Sequence, residues 1–290
     1  MTSSQIQIDQ GKCNQCGLCA TECVSGVIQL REAKVVVVEP AWCNRCSHCV
    51  AVCPTGAVLN SGLTGSPDRP IAKDQLNPAA YREIVMSRRS VRWYRPEPPA
   101  REEIEDLLDL ARFSPTASNT MDVGYIVITD RELIKKIGQD IFRLGFRLTK
   151  ILGKPWGRPL FWLLQALTGS RTLDTYLARF DLYQQWTTTG RNLITHNAPV
   201  LIVIHGPKKG RFTRENCAIA AANITNYAHA KGLGACYIGL ISLAMDRSKK
   251  LTARLGVPQD RRGYLALTLG RPVHHYRQVP IRPLASVDWR

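Results

Sequence analysis

No stretch of this chain approaches about 18 continuous apolar residues, so no membrane-crossing helix is expected. Neither G-x-G-x-x-G nor G-x-x-x-x-G-K-[ST] occurs: "KGLGACYIG" has the wrong spacing and "HGPKKGR" lacks the Walker frame, which argues against a built-in Rossmann site for NAD. The opening "MTSSQIQIDQ" has no apolar h-region or cleavage signal, so a reduced, cytoplasmic setting is expected. Acidic residues are scarce, 23 against 39 Lys and Arg, for a formal net charge of +16. Yet no zinc finger, RNP signature or basic-region heptad accompanies the positive residues, and no nucleic-acid partner is expected. An anionic cofactor, an anionic substrate or an acidic electron donor accounts for the charge equally well.

Cysteine, by contrast, is concentrated. Eight of the ten fall in "CNQCGLCATEC" (Cys13 to Cys23) and "CNRCSHCVAVCP" (Cys43 to Pro54), both spaced C-x2-C-x2-C-x3-C. A chain of 290 residues can bury a core without disulfide staples. Zinc pairs usually come as two C-x2-C units across a longer loop, and cysteines at i, i+3 and i+6 crowd too many thiolates for one tetrahedral ion. Three such thiolates can hold three corners of a 4Fe-4S cubane.

Residues 5 to 60 resemble the bacterial two-cluster ferredoxin family, down to the "CPTGAV" that ends the second run; the first ends "CVSGVI", with Val24 where proline is commoner. In that family the fourth cysteine of each run closes the other cluster. The resemblance therefore implies Cys13, Cys16, Cys19 and Cys53 for one 4Fe-4S cluster and Cys23, Cys43, Cys46 and Cys49 for the other. "KVVVVEP" between the runs reads as a hairpin strand. Gly17, Gly26 and Gly56 read either as points of close approach or positive φ, or as ordinary turn residues.

Length suggests about two domains. The stretch from 60 to 80 is rich in Gly, Ser, Pro and Asn without apolar periodicity, giving a first domain over 1–62, a linker over 63–79 and a second domain over 80–290. Up to Gly65, four basic residues balance four acidic ones, so the positive excess sits in the body. With roughly two negative charges added per oxidised cluster, the front is acidic and the body basic, and the two should attract.

The body reads as α+β. "PAREEIEDLLDLARF" places Ile104, Leu107, Leu108 and Ala111 on one helical face. "GYIVITD", "PVLIVIHG" and "GYLALTLGRP" read as strands, and "ENCAIAAANITNYAHAKGLG" as a close-packed helix ended by glycine. Cys217 and Cys236 read as small apolar packing residues, and the six histidines show no metal spacing.

Four stretches of residues 80 to 290 resemble the nitroreductase family of FMN proteins, which implies an α+β domain with a mainly antiparallel central sheet. "SRRSVRWYRPEPP" is similar to the opening motif, implying Arg88, Arg89 and Ser90 at the FMN phosphate and ribityl chain and Arg92 at the flavin ring. "ARFSPTASNTMDVGYIVI" is similar to the second motif, implying that Pro115, Thr116, Ala117 and Asn119 lie against the flavin from a partner subunit; Met121, Asp122 and Val123 replace the usual Gln-Pro-Trp. "GLGACYIGL" resembles the segment passing the flavin edge, implying Tyr237, Ile238 and Gly239. "LGRPVHHYRQVPIRPLASVDW" resembles the C-terminal motif, implying Arg282 at the phosphate, with Pro280 where some members have a second lysine. Independently, a dianionic phosphate needs fixed positive donors, and Arg88, Arg89, Arg92 and Arg95 crowd around a serine hydroxyl within eight residues.

"IFRLGFRLTKILGKPWGRPLFWLLQALTG", within 141–186, pairs an apolar stripe with a basic one. The nitroreductase resemblance implies a helical excursion there serving as lid or dimer arm, ahead of the membrane-surface docking or acidic protein partner that a basic amphipathic stretch would also suit. The whole chain is expected to be an FMN-dependent oxidoreductase and homodimer that takes single electrons, from reduced ferredoxin or flavodoxin, through two 4Fe-4S clusters and reduces a small organic substrate, nitroaromatics among the candidates. The alternative is an electron-transfer module serving a protein partner. No catalytic acid or base stands out.

Overall fold

The computed structural model describes residues 6–63, 69–152, 159, 163, 185 and 188–290, with side chains from 144 to 152 outside the description. The chain divides into two units, Met1–Leu76 with Thr116–Met121, and Asn77–Pro115 with Asp122–Arg290.

The first unit is built from short pieces because its sequence offers only short apolar runs. Strand β1 (Ile6–Ile8) pairs antiparallel with β4 (Val58–Asn60), Ile6 opposite Asn60. The run "KVVV" forms β3 (Lys34–Val37), a hairpin with β2 (Ile28–Arg31) whose two turn residues, Glu32 and Ala33, both take positive φ. That mirror-image turn follows the twist of the flanking strands. Helix α1 (Leu18–Thr21) and helix α2 (His48–Val52) each begin within a cysteine run, after a left-handed residue, Gly17 at φ 75 and Ser47 at φ 58. Gly26 and Gly56 also have positive φ, 66 and 64. Ile6, Val27, Ile28, Val35 and Val58 make a small core together with Cys19 and Cys49. So little apolar area leaves the unit dependent on whatever the thiolates bind.

The second unit is a three-layer sandwich. A sheet in the order β5-β6-β8-β7, antiparallel at every pairing, comprises β5 (Gly124–Ile128), β6 (Val200–Pro207), β7 (Gly234–Tyr237) and β8 (Arg261–Gly270). Residues 200 to 204 of β6 are wholly buried, and their alternation explains why an unbroken apolar run is needed. Val200, Ile202 and Ile204 pack with Ile104, Leu107 and Ala111 of α4 (Arg101–Ala111) and with Cys217, Ala221 and Ile224 of α6 (Thr213–Ala230). Leu201 and Val203 pack the opposite way, with Ile134 and Ile137 of α5 (Arg131–Leu152), Ile241 of α7 (Gly239–Arg247) and Leu251 of α8 (Lys249–Arg254). Each fully buried Ile or Leu contributes about 1.5–3 kcal/mol. Helix α6 buries 213, 216, 217, 220, 221, 224, 225 and 228, a 3.6-residue stripe of mostly small side chains that lets it lie close to the sheet. Tyr227 and Lys231 reach back to Asp106 of α4, closing that layer.

Helix α3 (Pro78–Ser87) starts on Asn77, whose side chain accepts from the Ala80 N–H at 3.0 Å. None of the described helices is long and apolar enough to cross a membrane. Of the 141–186 excursion, the backbone is described as helix to Leu152, and nearly all of the remainder lies outside the described residues, as does 64–68 of the linker.

Candidate functional site

In the first unit, thiols of the two cysteine runs stand around helices α1 and α2 in two groups. Cys23, from the end of the first run, lines one cavity with Cys43, Cys46 and Cys49, and Val24 and His48 stand at its wall. Burial, with Cys46, Cys23 and Cys43 as negative neighbours, pushes the Cys49 thiol up to about 11. Cys19 answers to the other set: burial raises its thiol, and Cys13 and Cys53 add to the rise. Cys23 thus stands with Cys43, Cys46 and Cys49 of the other run, and Cys53 near Cys13 and Cys19. Among the described residues no three metal-binding side chains converge on a single point; the four thiols surround a space instead.

Backbone donors are aimed at these sulfurs. Ala57 N–H lies 3.2 Å from Cys53 Sγ and Arg45 N–H 3.3 Å from Cys43 Sγ. Burial acts to raise Cys53, but the Thr55 hydroxyl and the backbone N–H groups of Thr55, Ala57 and Val58 outweigh it and hold the thiol below its ordinary value. Such hydrogen bonds favour thiolate and, in a ligated cluster, set its potential.

In the second unit the arginine-rich loop after α3 is fastened along the edge of β7. Ser90 bridges Ala235 in parallel, and Val91 N–H donates to the Ala235 carbonyl at 3.1 Å. Further along, Arg95 N–H donates to Arg271 O at 2.8 Å and Val273 N–H to Trp93 O at 3.0 Å. Tyr94 locks the turn: its hydroxyl donates to Val91 O at 2.7 Å and sits 2.9 Å from Thr268 Oγ1, with burial raising the phenol far above its usual range. Gly234 is required here, because a Cβ on it would stand 2.6 Å from Val91 Cγ2.

This fastening brings the first and third motif residues together. Cys236 is raised by burial, against the pull of Arg92, the hydrogen-bonding Ser90 and Arg88. Tyr237 is likewise raised by burial, with Thr225 and Arg88 acting in the other direction. Arg88 also reaches His229, which burial and then this guanidinium depress. Arg89 is the half-buried neighbour between Arg88 and Ser90. Ile238 is buried at the start of α7, its N–H on Ala266 O at 2.9 Å, and Gly239 faces open space where a side chain would stand. Two guanidiniums, a hydroxyl and an open glycine fit an anionic, phosphate-bearing ligand.

Pro115 is exposed at the end of α4's trailing turn. Thr116, Ala117 and Asn119 belong to the first unit, where a one-turn helix over Ala117–Asn119 carries positive φ at Ser118 and Asn119, and Asn119 Nδ2 donates to the Asn44 carbonyl at 2.9 Å. Arg282 is exposed in the C-terminal stretch, and among the described residues no hydrogen bond or ion pair ties it to the Arg88–Arg92 loop. Sequence reasoning missed His196 and Arg191: His196 feels the charges of both Arg191 and Arg92, the latter about a hundred residues away in the chain, and no periodicity or motif marks them.

Comparison with known proteins agrees with both halves. Residues 85–271 match the nitroreductase family and residues 6–57 the 4Fe-4S dicluster domain. A provisionally named NADH dehydrogenase/NAD(P)H nitroreductase of Archaeoglobus fulgidus is 22% identical over 194 residues, which cover 66% of this chain and 84% of the relative. Among solved structures, an FMN-bound nitroreductase of Desulfitobacterium hafniense superposes with a TM-score of 0.52 at 19% identity, covering 74% of this chain and 100% of the other. An FMN-bound nitroreductase of Bacteroides fragilis gives 0.50 at 16%, covering 73% and 100%. These likenesses speak for the fold.

Proposed function

The chain belongs to the nitroreductase family of oxidoreductases, with a 4Fe-4S dicluster domain at its front, and on that premise we propose an FMN enzyme supplied with electrons through its own clusters. The observation that carries the proposal is the Arg88–Arg92 loop fastened along β7, which sets guanidiniums and a hydroxyl beside Cys236 and Tyr237, just ahead of Ile238 and Gly239 in the chain. Arg88 and Ser90, with Arg89, would hold the FMN phosphate, and Arg92 would face the ring. Pro115, Thr116, Ala117, Asn119 and Arg282 would complete the site in a homodimer.

Two clusters, one on Cys13, Cys16, Cys19 and Cys53 and one on Cys23, Cys43, Cys46 and Cys49, would each carry one electron at a time, and bound FMN supplies two-electron chemistry toward a small organic substrate. The protein's own part is to bind, orient and exclude water: Tyr94 and Val91 fix the loop, and Ile238 closes the sheet side of the site. Nitroaromatics are among the candidate substrates. Reduced ferredoxin or flavodoxin in the cytoplasm is the proposed donor.

The test is anaerobic rapid mixing of the full chain, loaded with clusters and FMN, with reduced ferredoxin, reduced flavodoxin and NAD(P)H in turn. Cluster bleaching that precedes flavin bleaching supports the proposed direction. Flavin bleaching first, with the clusters following, would reverse it and make the front domain an exit.

A further inference from the structure

Among the described residues three buried side-chain atoms have no hydrogen-bond partner, and two of them are neighbours, Thr195 Oγ1 and His196 Nδ1. The loop that carries them is otherwise closely stitched. Asn192 Oδ1 accepts from the N–H groups of Ile194 and Thr195, both at 3.0 Å, while its Nδ2 donates to Lys135 O at 3.2 Å. Asn197 Oδ1 accepts from Asn192 N–H and its Nδ2 donates to Gly190 O, each at 3.2 Å. Within this frame His196 and Asn197 both take left-handed backbone, φ 55 and 53. Histidine takes that conformation more readily than most side chains but still at some cost, and it persists where surrounding contacts impose it. A closely stitched loop that holds a half-buried imidazole on left-handed backbone, its buried Nδ1 without a partner, points to a ligand.

The surroundings say which end of the ligand. Arg92 and Arg191 are the charges that act on His196, and Arg191 lies 4.5 Å over the Trp93 ring, whose edge meets His274 at 6.0 Å between centroids. The Arg88 end of the loop is instead the neighbour of His229 and Tyr237. One pole is thus cationic and open, suited to a phosphate, and the other mixes guanidinium with aromatic faces, suited to a flat heteroaromatic ring.

We propose that His196 is a contact for the ring end of FMN bound along the Arg88–Arg92 loop, with Nδ1 as the contacting atom and the 190–198 loop as its rigid mount. The assignment rests on the FMN reading above. Burial, then Arg92 and Arg191, hold the imidazole at about 4, so it is neutral near pH 7 and offers one donor and one acceptor.

Two substitutions in the full-length, cluster-loaded protein test it. His196→Gly removes the imidazole and suits the left-handed backbone; His196→Asn keeps a polar atom where Nδ1 stands and also tolerates that backbone. FMN is removed and titrated back, following quenching of its fluorescence, and the midpoint potential of the bound flavin is measured. Wild type should take up FMN, His196→Gly should raise Kd about 2- to 10-fold and shift the potential, and His196→Asn should restore both. Unchanged Kd and potential in His196→Gly, with normal uptake by wild type, would overturn the contact and leave the FMN reading intact. A loss that His196→Asn fails to restore would mark the ring as packing only and also overturn it. No uptake by wild type would overturn both.

Discussion

The Ser87 hydroxyl lies 2.7 Å from His229 Nε2 and donates at 2.7 Å to the Glu83 carbonyl, so the imidazole must be the donor in the pair. This fixes the Nε2–H tautomer and ties the last residue of α3 to α6, one residue before Arg88. His229→Ala is expected to cost about 0.5–1.5 kcal/mol of stability. It should also weaken FMN binding, because the loop loses its anchor. Urea denaturation and FMN titration of the same variant check the two effects.

Iron and acid-labile sulfide should each come to about eight per chain if two cubanes form. Cys53 stands with Cys19 and Cys13, so Cys53→Ala should damage the cluster of the first run and spare the one on Cys23, Cys43, Cys46 and Cys49. Electron paramagnetic resonance of the reduced variant distinguishes them. Loss of the second cluster alone would refute the crossed ligation.

Arg88 and Ser90 are expected to carry much of the phosphate binding. Each charge-assisted hydrogen bond is worth about 1.5–3 kcal/mol, so Arg88→Ala with Ser90→Ala should raise the FMN Kd by about two orders of magnitude or more. Cluster content should be unchanged. Full flavin stoichiometry in the purified double variant would remove the loop from the site.

Gly234→Ala places a methyl group against Val91, whose side chain is buried, and should cost about 1–3 kcal/mol. Because the strain comes from one contact, Val91→Ala in the same chain should recover a good part of it. Additive losses in a double-mutant cycle would show that the two residues do not meet.

Acid should weaken the fold through His196. Its pKa is depressed, so an unfolded chain takes up the proton near 6.5 while the folded one resists to about 4. Between those values the unfolded state binds more protons, and stability present above 6.5 is lost as pH falls toward 4. His196→Asn should flatten that slope in thermal melts at matched pH. An unaltered slope would mean that other groups dominate this window.

Much of this was legible in the sequence. The alternating burial of β6 follows from "VLIVI", the stripe of α4 from Ile104, Leu107 and Ala111, and the eight thiols from their spacing. What escaped has a common physical cause: it depends on backbone shapes that non-glycine residues rarely take and on partners distant in sequence. Ser118, Asn119, Met121 and His196 take positive φ without a glycine to announce it. Helix α7 begins on Ile238 with no capping side chain, and Ser248 both ends it and caps α8 through Leu251 N–H at 3.1 Å, so the break between the two helices carries a single cue.

Gly138 of α5 is spaced against Asn192 so tightly that a Cβ there would stand 2.3 Å from the amide nitrogen. The helix and the histidine loop therefore cannot drift independently. Any lineage or laboratory library that enlarges position 138 must shrink or redirect position 192 in the same step, and in doing so it gives up the amide that stitches the loop. Positions 138 and 192 should consequently be inherited as a pair, and randomising either alone should return almost only the starting residue.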